Sequence, residues 1–159
     1  MLRRMGLSFR GRGRRTPAKG VHISFSGPNW VFLTVCTKGR ARWLAQPSVH
    51  RALHAIWLHE ATAWLVSDYL LMPDHLHLFC APRDLHFSIE RWIAFWKDRL
   101  SKTCKEAELL QRGGFHHRLR DGENYSQKWQ YVRENPVRAG LVSKPENWPY
   151  QGRVHEIRW

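Results

Sequence analysis

Two stretches of the chain hold side chains whose types and spacing could do chemistry. The first is His75-Leu76-His77. Side chains alternate along a strand, so His75 and His77 share one face with Phe79, while Leu76, Leu78 and Cys80 take the other and belong in a core. Two imidazoles about 7 Å apart on one face can grip a divalent metal from one side. They could equally be two surface histidines on a half-exposed strand. Spacing excludes two hydrolase patterns. A histidine triad needs a third His where Phe79 stands, and an HxHxDH centre needs an Asp-His pair that does not follow here.

The second stretch holds Tyr131 and Asn135, at i and i+4 on an expected helix with Gln127 one turn earlier. A phenol ordinarily ionises near pH 10, so a nucleophilic tyrosine needs a cation or a metal-bound phosphate beside it. An asparagine oxygen one turn on could ligate that metal. Alone, the pair reads equally as a packing tyrosine and a helix-ending asparagine. Other histidines carry less. His50 and His54 are i, i+4 with His59 beyond, but no third metal ligand stands at a telling spacing. His116-His117 lies beside Arg118 and Arg120 and reads as a basic nucleic-acid surface. The segment with Arg91, Lys97, Arg99, Lys102 and Lys105 reads as a solvated helix face, its interleaved Trp92, Phe95 and Trp96 leaving room for strand binding.

The elements that must position these groups follow from periodicity. Trp30–Thr37 is β-branched and aromatic and reads as a buried strand. Val49, Leu53, Ile56 and Trp57 recur at helical spacing from Ser48, a plausible cap, to about Glu60. Trp64–Met72 and His75–Ala81 flank Pro73-Asp74 and predict a hairpin. Ile89, Trp92, Ile93, Trp96 and Leu100 stripe a second helix from Ser88 to about Cys104. Phe115–Arg120 is a fourth strand. Asn124 to Gln127 looks like a capping box opening a third helix to Glu134, and Asn135-Pro136 ends it. The segment from Leu141 to Trp159 wraps the body. This order predicts an α+β sandwich, a mostly antiparallel four-stranded sheet with helices on one face.

Composition sets the partner class. Of 159 residues, 26 are Lys or Arg and 13 Asp or Glu, a net +13. Residues 1–20 carry +7 with no acid and read as a basic, disordered tail that aids solubility or grips phosphate. Residues 21–159 form one domain that is still basic, so a polyanion is the expected partner. No apolar run spans a membrane and no secretory signal is present, so the expected location is the bacterial cytoplasm near the nucleoid. Three dispersed cysteines, Cys36, Cys80 and Cys104, suit a reducing compartment and form neither a disulfide framework nor a zinc ribbon. The nine tryptophans read mostly as core, with some available to stack on bases.

Four stretches together resemble the REP-associated tyrosine transposases, a branch of the single-tyrosine HUH transposases. They are Phe32–Thr37, Leu71-Met-Pro-Asp-His-Leu-His-Leu-Phe79, Arg118–Tyr125, and Tyr131-Val-Arg-Glu-Asn-Pro-Val-Arg-Ala-Gly-Leu-Val142. The resemblance implies a ferredoxin-like fold and cleavage of single-stranded DNA beside a hairpin. It maps metal ligands onto His75, His77 and Asn135, with Mg²⁺ or Mn²⁺ as the ion, and the nucleophile onto Tyr131. Arg118, Arg120, Lys97, Lys128 and Arg138 are the expected DNA contacts. The partner is single-stranded or hairpin DNA, the protein a monomer or homodimer. Where the family often has a Trp-Gln pair before the fourth strand, Arg112-Gly113-Gly114 stands here. Two other readings stay open: a catalytically silent hairpin DNA/RNA-binding module of the same fold, and a nuclease using water in place of Tyr131.

Overall fold

The computed structural model describes residues 30–119 and 122–157. The basic tail expected over 1–20, and Arg120, lie outside these residues. Strand β1 (Val31–Cys36) leads into helix α1 (Pro47–His59), the hairpin β2 (Trp64–Leu71) and β3 (His75–Pro82), helix α2 (Ile89–Ser101) and strand β4 (Phe115–Arg118). Helix α3 (Gly122–Arg133), the short α4 (Asn135–Arg138) and strand β5 (Gln151–Arg153) follow. The sheet order is β4-β1-β3-β2-β5, and every pairing is antiparallel. The expected α+β sandwich is therefore present, with a βαββαβ core. A fifth strand, absent from the expectation, extends it. β5 is three residues long with Gly152 at its centre, too short to show period-two alternation.

Strand alternation separates two cores. Val31, Leu33, Val35, Val66, Tyr69, Leu71, Leu76, Leu78 and Cys80 face α1 and α2, where Leu53, Trp57, Trp92, Trp96 and Leu100 fill the gap. Trp30, Phe32, Leu70, Phe79 and Ala81 face the other way and are covered by α3 and the C-terminal segment through Tyr125, Trp129, Val132 and Trp148. Trp92 and Trp96 are wholly buried, so of the three aromatics expected to leave room for strand binding along α2 only the half-buried Phe95 reaches the surface. Every described tryptophan belongs to one core or the other.

Two helix starts move for local reasons, and one stays where expected. α1 begins at Pro47 behind Gln46 rather than from a Ser48 cap, because proline at the first helical position is pre-set in φ and lacks the donor a cap would serve. Ser88 does cap α2, its side chain accepting the Arg91 amide at 3.3 Å. α3 starts at Gly122, which places Asn124 and Tyr125 inside the helix rather than at its cap.

Gly114 brings β4 against β1. A Cβ there would stand 2.7 Å from Leu33 Cδ1 and 3.2 Å from the Thr34 carbonyl oxygen, inside a fully buried core. Gly113 before it turns with φ +70°, where L side chains are strained. These two glycines explain why Arg112-Gly113-Gly114 occupies this position. Gly114→Ala should lower unfolding stability in urea by about 1–3 kcal/mol through overpacking, while a Gln111→Ala control changes it less.

Candidate nucleic-acid processing site

The histidine pair sits where its strand leaves a tight turn. Pro73-Asp74 ends β2, and the Asp74 carbonyl accepts from both the amide and the hydroxyl of Thr37 at 3.0 Å, pinning the turn to the end of β1. His75 and His77 then project from β3 to the α3 side, their rings 4.8 Å apart between centroids.

Each imidazole is oriented through Nδ1. The Asp74 carboxylate accepts from His75 Nδ1 at 2.7 Å and is itself braced by Arg40 at 2.9 Å. Burial alone would raise the Asp74 carboxyl, but the hydrogen bond to His75 and the charges of His75 and Arg40 leave it below its ordinary value. A carboxylate only accepts, so His75 Nδ1 carries the proton, and Nε2 is the ring nitrogen left for a ligand. His77 Nδ1 pairs with the Thr34 hydroxyl at 2.9 Å, and its ring stacks on Phe32 at 5.2 Å. Burial first, then His75, Lys128 and Arg138, push His77 down to about 3, so it is neutral near pH 7. Imidazoles oriented through Nδ1, as both are here, are what metal ligation requires, and His77 is in addition held neutral.

The pair opens into a cleft of about 340 Å³ lined by Phe32, Thr34, Arg40, His117, Phe115 and Lys128, among others. Phe115, Thr34 and His77 are register partners across β4, β1 and β3, and His117, Phe32 and Phe79 form the next row. With Cys36 and His75, register partners across β1 and β3, the cleft floor is thus three cross-strand rows of one sheet face. His116, one residue off, points to the opposite face and lies 3.7 Å from Glu90.

Helix α3 covers this face. Lys128 sits over the Phe32 ring at 4.7 Å. Tyr125 packs on Phe79 at 4.2 Å and Trp129 on Phe79 at 6.0 Å. A bulge in β2 places Ser67 and Asp68 together opposite Phe79. There the Tyr125 hydroxyl donates to the buried Asp68 carboxylate, pairs with the Ser67 hydroxyl at 3.0 Å, and accepts the Asp68 amide. Arg153 of β5 closes the cluster with bonds of 3.0 and 3.1 Å to both Asp68 oxygens. Sequence reading missed this clamp, because Asp68 and Tyr125 are 57 positions apart and neither stands in a chemical motif.

Tyr131 lies two turns beyond Tyr125 and is 63% exposed. Arg138 stacks its guanidinium 4.2 Å over the Tyr131 ring and donates to the Tyr131 carbonyl at 2.9 Å and to Asn135 Oδ1 at 2.7 Å. Asn135 opens α4 rather than closing α3, and its amide oxygen is engaged by a cation. Among the expected DNA contacts, Lys128 lines the histidine cleft, and Arg118 and Lys128 line a smaller one with His117 and Asn124. The Lys97 ammonium donates to the carbonyls of Gln111, at 2.6 Å, and Gly113, so it holds the loop before β4. The fit to a divalent ion therefore rests on two prepared imidazoles. Among the described residues no cluster of three or more His, Cys, Asp and Glu side chains stands ready for a metal, and the Oδ1 of Asn135, the expected third ligand, already accepts from Arg138.

No family model matches the chain. Comparison with known proteins finds a REP-associated tyrosine transposase of Escherichia coli strain K12, 28% identical over 127 residues that cover 78% of this chain and 75% of the relative. A Haemophilus influenzae relative of the same kind is 27% identical over 104 residues, 55% of this chain and 58% of its own. The fold matches a solved REP-associated tyrosine transposase bound to a REP hairpin, with a TM-score of 0.63 and 20% identity over 86% of this chain and 92% of that one. The chain is thus similar in sequence to REP-associated tyrosine transposases over most of its length, and shares their fold. The five-stranded antiparallel α+β sheet agrees with that likeness, and among the described residues no helix is long and apolar enough to cross a membrane.

The clamp is testable apart from any chemistry. Tyr125→Phe keeps the ring packing and strands two buried polar groups, so it should cost about 1–3 kcal/mol in urea unfolding. Ser67→Ala should cost less, because Asp68 keeps its bonds to Tyr125 and Arg153.

Proposed function

We propose that this protein is a metal-dependent single-stranded DNA nickase and strand transferase, acting beside a hairpin through a 5′-phosphotyrosine on Tyr131. The observation that carries this reading is the pair of imidazoles, each oriented through Nδ1, facing a cationic cleft that α3 flanks. The hairpin bound to the solved relative supports hairpin DNA as the substrate class. Arg40, Lys128 and Arg118 supply the charge that retains a phosphate backbone. When bound by His75, His77 and Asn135, Mg²⁺ or Mn²⁺ would supply Lewis-acid polarisation of the scissile phosphate.

The chain's own residues then have defined tasks. Asp74 and Thr34 fix the two imidazole planes, so the phosphate is held in one orientation. The Tyr131 oxygen attacks phosphorus and its proton passes to water. The bond from phosphorus to the 3′ oxygen breaks, and that oxygen leaves as a 3′-hydroxyl after taking up a proton. The 5′ phosphate stays esterified to Tyr131. Because the ester bond is conserved, a 3′-hydroxyl can reverse the step and join strands without ATP. Arg138, stacked on the phenol, meets the phosphate's charge there and releases Asn135 as it does so.

One observation favours the catalytically silent binding module: Asn135 Oδ1 accepts from Arg138. The test separates the readings. Single-stranded oligonucleotides carrying hairpins from the DNA flanking the gene are incubated with protein and Mn²⁺, then run under denaturing conditions. We expect a protein–DNA adduct that is lost in Tyr131→Phe and in His77→Ala. Thr34→Val, which frees the His77 ring, should slow adduct formation by roughly 10–100-fold. Tight binding without an adduct would support the silent module, and cutting that survives Tyr131→Phe would support a water-using nuclease.

A further inference from the structure

Cleavage at one phosphodiester requires that the neighbouring base be fixed, because backbone contacts alone carry no register along a single strand. The tryptophans cannot do this, since those described are spent on the two cores. Among the described residues, the exposed aromatic lining the histidine cleft is Phe115, 48% exposed at the start of edge strand β4.

Its position is set by the sheet. Phe115 pairs with Thr34, and Thr34 with His77, so all three lie in one row on one face. Adjacent strands are about 4.8 Å apart, which puts Phe115 roughly 10 Å across the sheet from His77. The row is held from behind: Gly114 allows β4 to approach β1, and Lys97 bonds the carbonyls of Gln111 and Gly113 just before it. Arg40 and Lys128 line the same cleft, a charge pattern complementary to the phosphates on either side of a base.

We propose that Phe115 is the stacking platform for the unpaired base adjoining the scissile phosphate. The proposal rests on the reading of the histidine cleft as the phosphate site. Phe115 has no hydrogen-bonding group, so it grips a base by its face and tolerates any of the four. The site of cleavage is then set by how many unpaired nucleotides separate the hairpin from the Phe115 ring.

The test is a double-deletion cycle on binding, run with wild-type protein and no divalent ion. Hairpin oligonucleotides carry an abasic residue at one position at a time in the single-stranded flank, and affinity is read by fluorescence anisotropy. At one position the abasic residue should weaken binding roughly tenfold. Phe115→Ala should weaken the intact oligonucleotide by a similar factor and be indifferent to that abasic position, and Phe115→Tyr should restore both. A 2-aminopurine at that position should be quenched by wild type and not by Phe115→Ala. Losses that multiply independently at every position would overturn the proposal. Adduct formation in Mn²⁺ is scored in parallel. An adduct without coupling removes the stacking role and leaves the nuclease, whereas coupling without an adduct keeps the stacking role and removes the nuclease.

Discussion

The register of β3 against β1 decides which way the two imidazoles face, and the rest of the site follows from it. β3 is covered on both sides, so each residue must suit one of two different environments. Leu76, Leu78 and Cys80 fill the space under α1 and α2, while His75, His77 and Phe79 meet the cleft and α3. A slip by one residue would drive both histidines into the apolar core and turn the leucines outward, a cost no other contact could offset. Pinning the Pro73-Asp74 turn to Thr37 holds the register at the end of the strand that carries the two histidines.

The second requirement is that α3 stay on this sheet. Its packing on Phe79 is apolar and non-directional, but the Tyr125 bonds to Ser67 and Asp68 fix both its height and its rotation. The bulge in β2 makes that possible, because it presents two polar residues opposite one phenylalanine without shifting Tyr69 out of the α1–α2 core. Arg153 ties β5 to the same carboxylate. The C-terminal segment is therefore part of the support for the tyrosine-bearing helix, and Trp148, bonded to the Leu71 carbonyl at 2.8 Å, anchors it from the other side.

What could be read from sequence was what strand and helix periods encode locally. The hairpin around Pro73-Asp74, the stripe from Ile89 to Leu100 and the shared face of His75 and His77 need only neighbours along the chain. The Asp68–Tyr125–Arg153 cluster, the hold of Lys97 on two carbonyls, and the capture of Asn135 by Arg138 depend on where distant segments meet or on how a turn closes. β5 left no signal because three residues around a glycine are too few for a pattern. The tryptophans misled in one respect: residue type alone made Trp92 and Trp96 available to bases, whereas the helical stripe that carries them is the one that must be buried.

The central claim is that the β3 histidines and Tyr131 act on one phosphate. Anomalous diffraction from crystals of the protein with a hairpin oligonucleotide and Mn²⁺ tests it most directly. The account predicts a manganese peak bonded to Nε2 of both His75 and His77, with a backbone phosphate between the ion and the Tyr131 oxygen. A peak at another histidine cluster such as His50 and His54, or DNA seated with its backbone away from β3, would contradict it.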